Sequence, residues 1–378
     1  MQYIALPFLV SLLVTLLILR TRKLHGKYTA DSDMSGVQKF HARVVPRIGG
    51  VGIMAGMVAI AGWLFVSGNR DARVVSLLIG VSLPAFLGGF IEDCTKVVSA
   101  KIRLALTMLA AALGWFLLGA GVLRLDIPLL DAAMLLAPVS LLFTMVAVGG
   151  VANAVNIVDG FNGLASMVCV LMLAALGYVG FLVGDTLIWR TALAMMGAIL
   201  GFFIWNWPKG LIFLGDGGAY FLGFMLAELA VLLVARNQAV SSWFPLLVLI
   251  YPIFETVFSI WRRTVLRGTA AHMPDAAHMH SLVYKRVVRW VVGSRAAKDK
   301  TARNAMTSPY LWLLCSISVI PAMLFWQNTL VLQVCTGAFI VLYIILYRRF
   351  VLFNTPHWLQ IRRAHRPRRK KENNKPGL

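Results

Sequence analysis

The side chains of this 378-residue chain that could do chemistry are few, because only fifteen residues are acidic. Five of them, with the amides and histidines near them, fall into four clusters. Glu92-Asp93 stand beside Lys96, Lys101 and Arg103. Asn153, Asn156, Asp159 and Asn162 recur every third residue in a stretch, 153–163, that has no Lys or Arg. Asp216 lies in Gly215-Asp216-Gly217-Gly218, and Pro274-Asp275 precedes His278 and His280. Packing is a poor explanation of the second cluster, since each buried polar group needs a partner. Carboxylates with a side-chain amide are hard oxygen ligands suited to Mg²⁺, which keeps substrate phosphates in its shell. Glycines let backbone N–H groups approach an anion closely at a helix N-terminus. Flanking Lys and Arg suit polyphosphate, and cations between two anionic reactants offset their repulsion. Taken singly, the other clusters have plainer readings. Adjacent acids beside bases make a solvated interfacial loop, G-D-G-G is a common turn, and two histidines without cysteines are a weak metal site. As a set they point to chemistry between two phosphorylated molecules.

The elements that must position these residues are membrane helices. Hydrophobic residues make up 59% of the chain and charged residues 13%, against about 25% charged in soluble domains. A bilayer core needs roughly 20 apolar residues per helix. Runs of that order begin near Tyr3, Ile48, Val74, Leu104, Ala132, Leu164, Leu187, Ala219, Trp243, Tyr310 and Thr329. In lipid, every backbone polar group must be satisfied internally, which makes such runs helices. The expected fold is therefore an all-α polytopic membrane protein of about eleven transmembrane helices. Residues 1–347 form one multi-pass domain with cytoplasmic loops, and 348–378 form a basic cytoplasmic tail. The first run reads as a signal anchor: no basic region precedes it, and Arg20-Thr21-Arg22-Lys23 follows it without a cleavage site.

Charge sets the orientation. With the N-terminus outside and the C-terminus inside, 31 of the 36 Lys and Arg fall on inner segments, as the positive-inside rule requires. All seven histidines and the four clusters fall on the same side, so the chemistry is expected at the cytoplasmic face. The basic run 362–371 suits anionic lipid headgroups at about 1 kcal/mol per residue, in preference to nucleic acid. The four cysteines form no C-x-x-C pair and read as small hydrophobes.

A site at a membrane face that handles two anions suits one lipid phosphate and one soluble nucleotide. At these residues the sequence resembles the polyprenyl-phosphate N-acetylhexosamine-1-phosphate transferases, the MraY/WecA-like enzymes of glycosyltransferase family 4. Gly89-Phe90-Ile91-Glu92-Asp93 looks like the family's G-x-x-D-D. Residues 153–164 match its N-A-x-N-x-x-D-G-x-[DN]-G-L pattern. Residues 215–224 look like its G-D-x-G/A followed by F-x-G-F, and 274–280 like its P-D-x-x-H-x-H loop. The resemblance implies a bacterial inner-membrane enzyme acting on undecaprenyl phosphate and a UDP-N-acetylsugar, with Mg²⁺ as cofactor and Mn²⁺ as a candidate substitute. Under it, Asp216 and Asn156 would ligate the metal. Glu92, Asp93 and Asp159 would be catalytic, with Asp93 orienting or deprotonating the lipid phosphate and Asp159 supporting the metal or nucleotide site. Asn162 would contact uracil, an amide similar to that of the eukaryotic branch. Asn153, Lys96, Lys101 and Arg103 would bind substrate, and the His278/His280 loop would cover the sugar-diphosphate. Dimers are common in that family, which makes a homodimer a candidate assembly.

Three positions depart from the pattern. Glu92 stands where Asp is usual, which puts more weight on Asp93. Ser281 replaces a third histidine found in many bacterial members, and Leu104 to Thr107 lack a common glutamine. These suggest a branch that starts O-antigen-like or other surface-glycan synthesis. Two further acids, Glu228 and Glu255, fall inside apolar runs, where a charge is costly and a helix–helix hydrogen bond is the plain reading. A transporter would place polar groups near the midplane in repeated halves, whereas here they lie at one face with no repeat. An inactive lipid-binding scaffold is the remaining alternative.

Overall fold

The computed structural model describes residues 1–31, 45–266, 268, 277–288 and 297–352. Pro274, Asp275 and the basic run 362–371 lie outside them. The chain is a bundle of helices. The first three are α1 (Gln2–Arg20), α2 (Arg22–Thr29) and α3 (Gly50–Val66). Then come α4 (Ala72–Thr95), α5 (Ala100–Leu118), the short α6 (Pro128–Met134) and α7 (Ala137–Val158). Next are α8 (Leu164–Leu182), α9 (Thr186–Asn206) and α10 (Gly215–Arg236). The C-terminal part holds α11 (Trp243–Val248), α12 (Ile250–Trp261), α13 (Met279–Val283), α14 (Ala297–Leu324) and α15 (Thr329–Val351). Among the described residues, the β structure is one two-residue antiparallel pairing, Ala30–Asp31 with Val45–Pro46.

Nine helices among the described residues are long and apolar enough to cross a membrane. Two of the eleven expected runs give less than a full-length helix. The run near Ile48 forms α3, of 17 residues. The run near Trp243 divides into α11 and α12 at Leu249. Pro252 has no N–H to donate to the carbonyl four residues back, which weakens the helix here, while proline is tolerated in the first turn of α12.

Successive helices run between two polar ends. At one end Asn69 bonds Tyr3 (3.2 Å), Arg190 bonds Asp71 (3.0 Å) and Arg236 bonds Asp185 (2.7 Å). Nearby in sequence, Arg124 donates to Asp126 at 2.8 Å, and the Ser242 N–H donates to the same Asp126. Burial opposes ionisation of Asp126, but the Ser242 N–H and the Arg124 charge outweigh it and hold its carboxyl below the usual range. Arg47, Asp93, Arg103, Asn156 and Asp216 gather at the other end.

Helix α10 is the centre of the bundle, with 83% of its apolar window buried and packing against α3, α4, α5, α7 and α8. Where α4 crosses its first turn, the two backbones touch. A Cβ on Gly89 would lie 2.5 Å from the Asp216 carbonyl carbon and the Gly217 nitrogen. Gly80 of the same helix faces open space. Gly89→Ala is therefore expected to cost about 1–3 kcal/mol of stability by overpacking. Gly80→Ala is expected to be neutral or slightly stabilising. Melting temperatures of the two variants in detergent provide the comparison.

Candidate active site

The polar end is organised around the amino terminus of α10. The first N–H groups of a helix have no partner within it. Here the carboxylate of Asp93, on α4, accepts them, with Oδ1 taking the Asp216 N–H and Oδ2 the Gly217 N–H, both at 2.9 Å. Asp93 is 1% exposed, so this carboxylate is a buried cap that locks α4 to α10. Gly215 makes the approach possible. Its φ of 78° is left-handed, and a Cβ there would collide with the Arg47 carbonyl and the Asp93 carboxylate. The segment around Arg47 is pinned alongside: Phe213 N–H donates to Pro46 O (2.8 Å), and Gly49 and Gly50 N–H donate to Phe213 and Leu214 O (2.9 Å each).

Asp216 projects from this turn and is 16% exposed. Its carboxylate accepts the Asn156 amide at 2.8 Å, is ion-paired with Arg103, and has Arg47 Nη2 at 3.5 Å. Arg47 also lies 3.7 Å from Asp93. Asn156 comes from the last turns of α7. Arg103 comes from the first turn of α5, which is set by the short connection after α4. Lys96 ends α4 in a left-handed conformation (φ 60°), and Ser99 caps α5 through Ile102 N–H. Charge-assisted bonds to Arg are strong and geometrically specific, and Arg103 is further held over the Tyr220 ring at 5.7 Å.

The other expected residues fall in distinct places. Asn153 lies behind Arg103, accepting the Tyr220 hydroxyl at 3.1 Å. Lys96 donates to the Asp93 carbonyl at 2.9 Å, and Lys101 is exposed. Glu92 keeps a sheltered oxygen, Oε2, with no hydrogen-bond partner among the described residues. Asp159 follows α7 and is half-buried. Loss of hydration pushes its carboxyl up to about 7, against the lowering pull of the Arg47 charge. Asn162 is buried. Its amide lies under the Pro208 carbonyl (3.3 Å), and its backbone N–H and C=O are taken by Asn304 (2.8 Å) and Ser308 (2.6 Å) of α14. The loop 159–163 meets the histidines: the Phe161 ring stands edge-on to His280 at 5.4 Å, and His280 stacks on His278 at 5.2 Å.

Two contributors escaped the sequence reading. Arg47 reaches both central carboxylates, and its only local signal is the glycine pair in Pro46-Arg47-Ile48-Gly49-Gly50, which sits at the head of an apolar run. Tyr220 joins Asn153 to Arg103 but looks like one more aromatic of α10. Among the described residues no three His, Cys, Asp or Glu side chains form a metal-holding group. Mg²⁺ does not require one, since it commonly takes one or two carboxylates together with water and substrate phosphate. Asp216 with the Asn156 amide, and the unpartnered Glu92 oxygen on the adjoining helix, are hard donors of the fitting kind.

The profile of glycosyl transferase family 4 matches residues 74–234, which hold α5 and α7 and nearly all of α4 and α10. The chain is 30% identical over 278 residues to a probable undecaprenyl-phosphate N-acetylglucosaminyl 1-phosphate transferase of Bacillus subtilis, covering 73% of this chain and 76% of the relative. The undecaprenyl-phosphate alpha-N-acetylglucosaminyl 1-phosphate transferase of Thermotoga maritima is 29% identical over 70% of this chain and 77% of its own length. A phospho-N-acetylmuramoyl-pentapeptide-transferase of Streptococcus pneumoniae is 30% identical over 61% and 71%.

The geometry separates two neighbouring acids. Asp93→Ala is expected to cost about 1–2 kcal/mol through loss of the cap, read as a lower melting temperature, whereas Glu92→Ala is expected to leave it in place. Asp159 gives a pH signature. Its folded pKa lies above its unfolded value, so it disfavours folding increasingly as pH rises from about 4 to about 7, and constantly above that. Ligand-free Asp159→Asn is expected to melt above wild type at pH 8, with the gap closing as the pH is lowered toward 4.

Proposed function

This chain belongs to glycosyl transferase family 4, and we propose that it transfers an N-acetylhexosamine-1-phosphate from a UDP-sugar to undecaprenyl phosphate, releasing UMP. The observation that carries the reading is the convergence of Asp216, Asn156, Arg47 and Arg103 on one turn at the polar end of the bundle. In this reaction an oxygen of the lipid phosphate attacks the sugar-bearing phosphorus of the donor. The bond to the UMP phosphate breaks, leaving a diphosphate link between lipid and sugar.

Asp216 and Asn156 are the residues to hold Mg²⁺, or Mn²⁺ in its place. Bound there, the ion would supply positive charge against the substrate phosphates. Arg47 and Arg103 stand at the same carboxylate and present guanidinium donors that match phosphate oxygens. Asp93, with both oxygens on backbone N–H groups, keeps Asp216 in place. Glu92, with its uncommitted oxygen, is the carboxylate left to meet the acceptor phosphate. Asp159 and the 159–163 loop link Asn156 to the histidine segment, which closes over the sugar-diphosphate. An apolar cleft of about 460 Å³ runs from mid-bundle, at Val151, Ala227 and Ile253, to Leu123 and Arg124 at the end opposite the cluster, and suits part of a polyprenyl chain.

The basic asymmetry of the loops supports a bacterial inner-membrane location with this end at the cytoplasm. Confinement of the ionic cluster to one end favours this reading over a transporter, whose site belongs near the midplane.

Release of UMP by the purified protein, with undecaprenyl phosphate and a panel of UDP-N-acetylsugars, tests the assignment. UMP is expected only when the lipid phosphate and Mg²⁺ are both present, and the best donor identifies the sugar. Asp216→Asn is expected to lower turnover by about a hundredfold or more. Glu228→Gln, at a buried position away from the cluster, is expected to keep most of it. Equal turnover in Asp216→Asn and wild type would remove the metal assignment. No UMP from any donor, beside a working control enzyme, would favour the inactive-scaffold reading.

A further inference from the structure

Glu255 sits on α12, inside an apolar run, and is 1% exposed. A bond to a neighbouring membrane helix would account for one of its contacts: Tyr343 of α15 reaches Oε2 at 2.6 Å. The other oxygen is directed elsewhere. Oε1 lies 2.9 Å from His278 Nδ1 and accepts the Met279 N–H at 3.1 Å. An ionised carboxylate can only accept, so the arrangement puts a proton of His278 on Nδ1 and fixes the orientation of the ring. The Met279 N–H opens α13, which runs on as a π-helix over Tyr284–Val288, a stretch still too short to hold its shape without outside contacts.

The bracing extends around the carboxylate. Arg262 donates to the Ala277 carbonyl at 2.8 Å, bonds the Tyr347 hydroxyl and lies 5.3 Å from the Tyr347 ring centroid. Phe258 packs between Tyr343 and Tyr347, at 5.7 and 4.8 Å. Helix α15, far from the active-site motifs in sequence, thus grips the residues from Ala277 onward. His278 stacks on His280, and His280 meets Phe161 of the 159–163 loop.

We propose that Glu255 is a positioning residue for donor binding. It fixes His278 as an Nδ1–H donor, anchors the start of α13, and so presents the His278–His280 pair toward the sugar-diphosphate, with Tyr343 holding the carboxylate from the last helix. The donor-binding half of this inference rests on the transferase reading. The logic is that of metal-bound and catalytic histidines, where a carboxylate behind the ring sets tautomer and orientation without touching the reacting atoms.

The test combines kinetics with nitrogen-15 NMR of histidine-labelled protein in liposomes, the His278 signal being assigned by its loss in His278→Ala. Glu255→Met is expected to raise the KM for the UDP-sugar by about tenfold to a hundredfold and to change that for undecaprenyl phosphate by less than about twofold. In a His278→Ala background it is expected to add no further loss. Tyr343→Phe keeps the carboxylate and is expected to shift the same KM less. Glu255→Gln, whose amide oxygen can still accept from His278 and Met279, is expected to restore most donor affinity.

In wild type the His278 proton is expected on Nδ1, and in Glu255→Met it is expected to redistribute to Nε2. Additive losses in the double variant, or a His278 signal indifferent to Glu255, would overturn the proposal. Wild-type protein that releases no UMP, while its His278 signal still depends on Glu255, would instead defeat the transferase reading and support the anchoring of His278.

Discussion

Two N–H groups at the start of α10 have no partner within their own helix, and the buried carboxylate of Asp93 accepts both. The polar end of the bundle depends on that pairing. It fixes where α4 crosses α10, and it directs the Asp216 side chain toward Arg47, Arg103 and Asn156. The crossing needs backbones to touch, which is why glycines stand at 89, 215 and 217. Gly217 faces the Phe90 nitrogen, where a Cβ would lie 2.9 Å away. Close helix approach through small residues is a general device of membrane bundles, and here it also builds the site.

Burying carboxylates at the edge of a membrane domain has a large desolvation cost unless they are paired. Asp93 is partnered by two backbone N–H groups, and Asp216 by an amide and two arginines. Burial pushes the Asp159 carboxyl up to about 7, against the pull of the Arg47 charge. A diphosphate donor and a phosphate acceptor would meet arginines already oriented by carboxylates, and little reorganisation would be required of the protein when charge moves between phosphates.

A second polar network, built on Glu255, lies beyond the first. The first joins α4, α5, α7 and α10, and the second joins α12, α13 and α15. They meet where the 159–163 loop touches His280. Asn162, at the base of that loop, is buried under the 208–210 turn and held by α14. The amides of the 153–163 motif thus divide their work: Asn156 faces Asp216, Asn153 supports Tyr220, and Asn162 ties the loop to the C-terminal helices.

The apolar runs, their helical state and the polar motifs were legible in the sequence, because membrane burial forces each run to satisfy its own backbone and leaves acidic residues scarce enough to stand out. Run length does not register an interruption within a run, as at Leu249 between α11 and α12. Asp93, Asp216, Asn156 and Arg103 were identifiable by type and spacing, and the structure brings them together. Only the tertiary structure decided what each one touches: that Asp93 is spent on a helix terminus, that Arg47 enters the cluster, that Tyr220 links Asn153 to Arg103, and that Glu255 and Tyr343 hold a histidine. Those contacts join residues as much as 169 positions apart, as between Arg47 and Asp216. Periodicity and local motifs report how a segment meets its solvent, whereas which distant backbone may approach it is set by packing across helices, and no spacing within one segment encodes that.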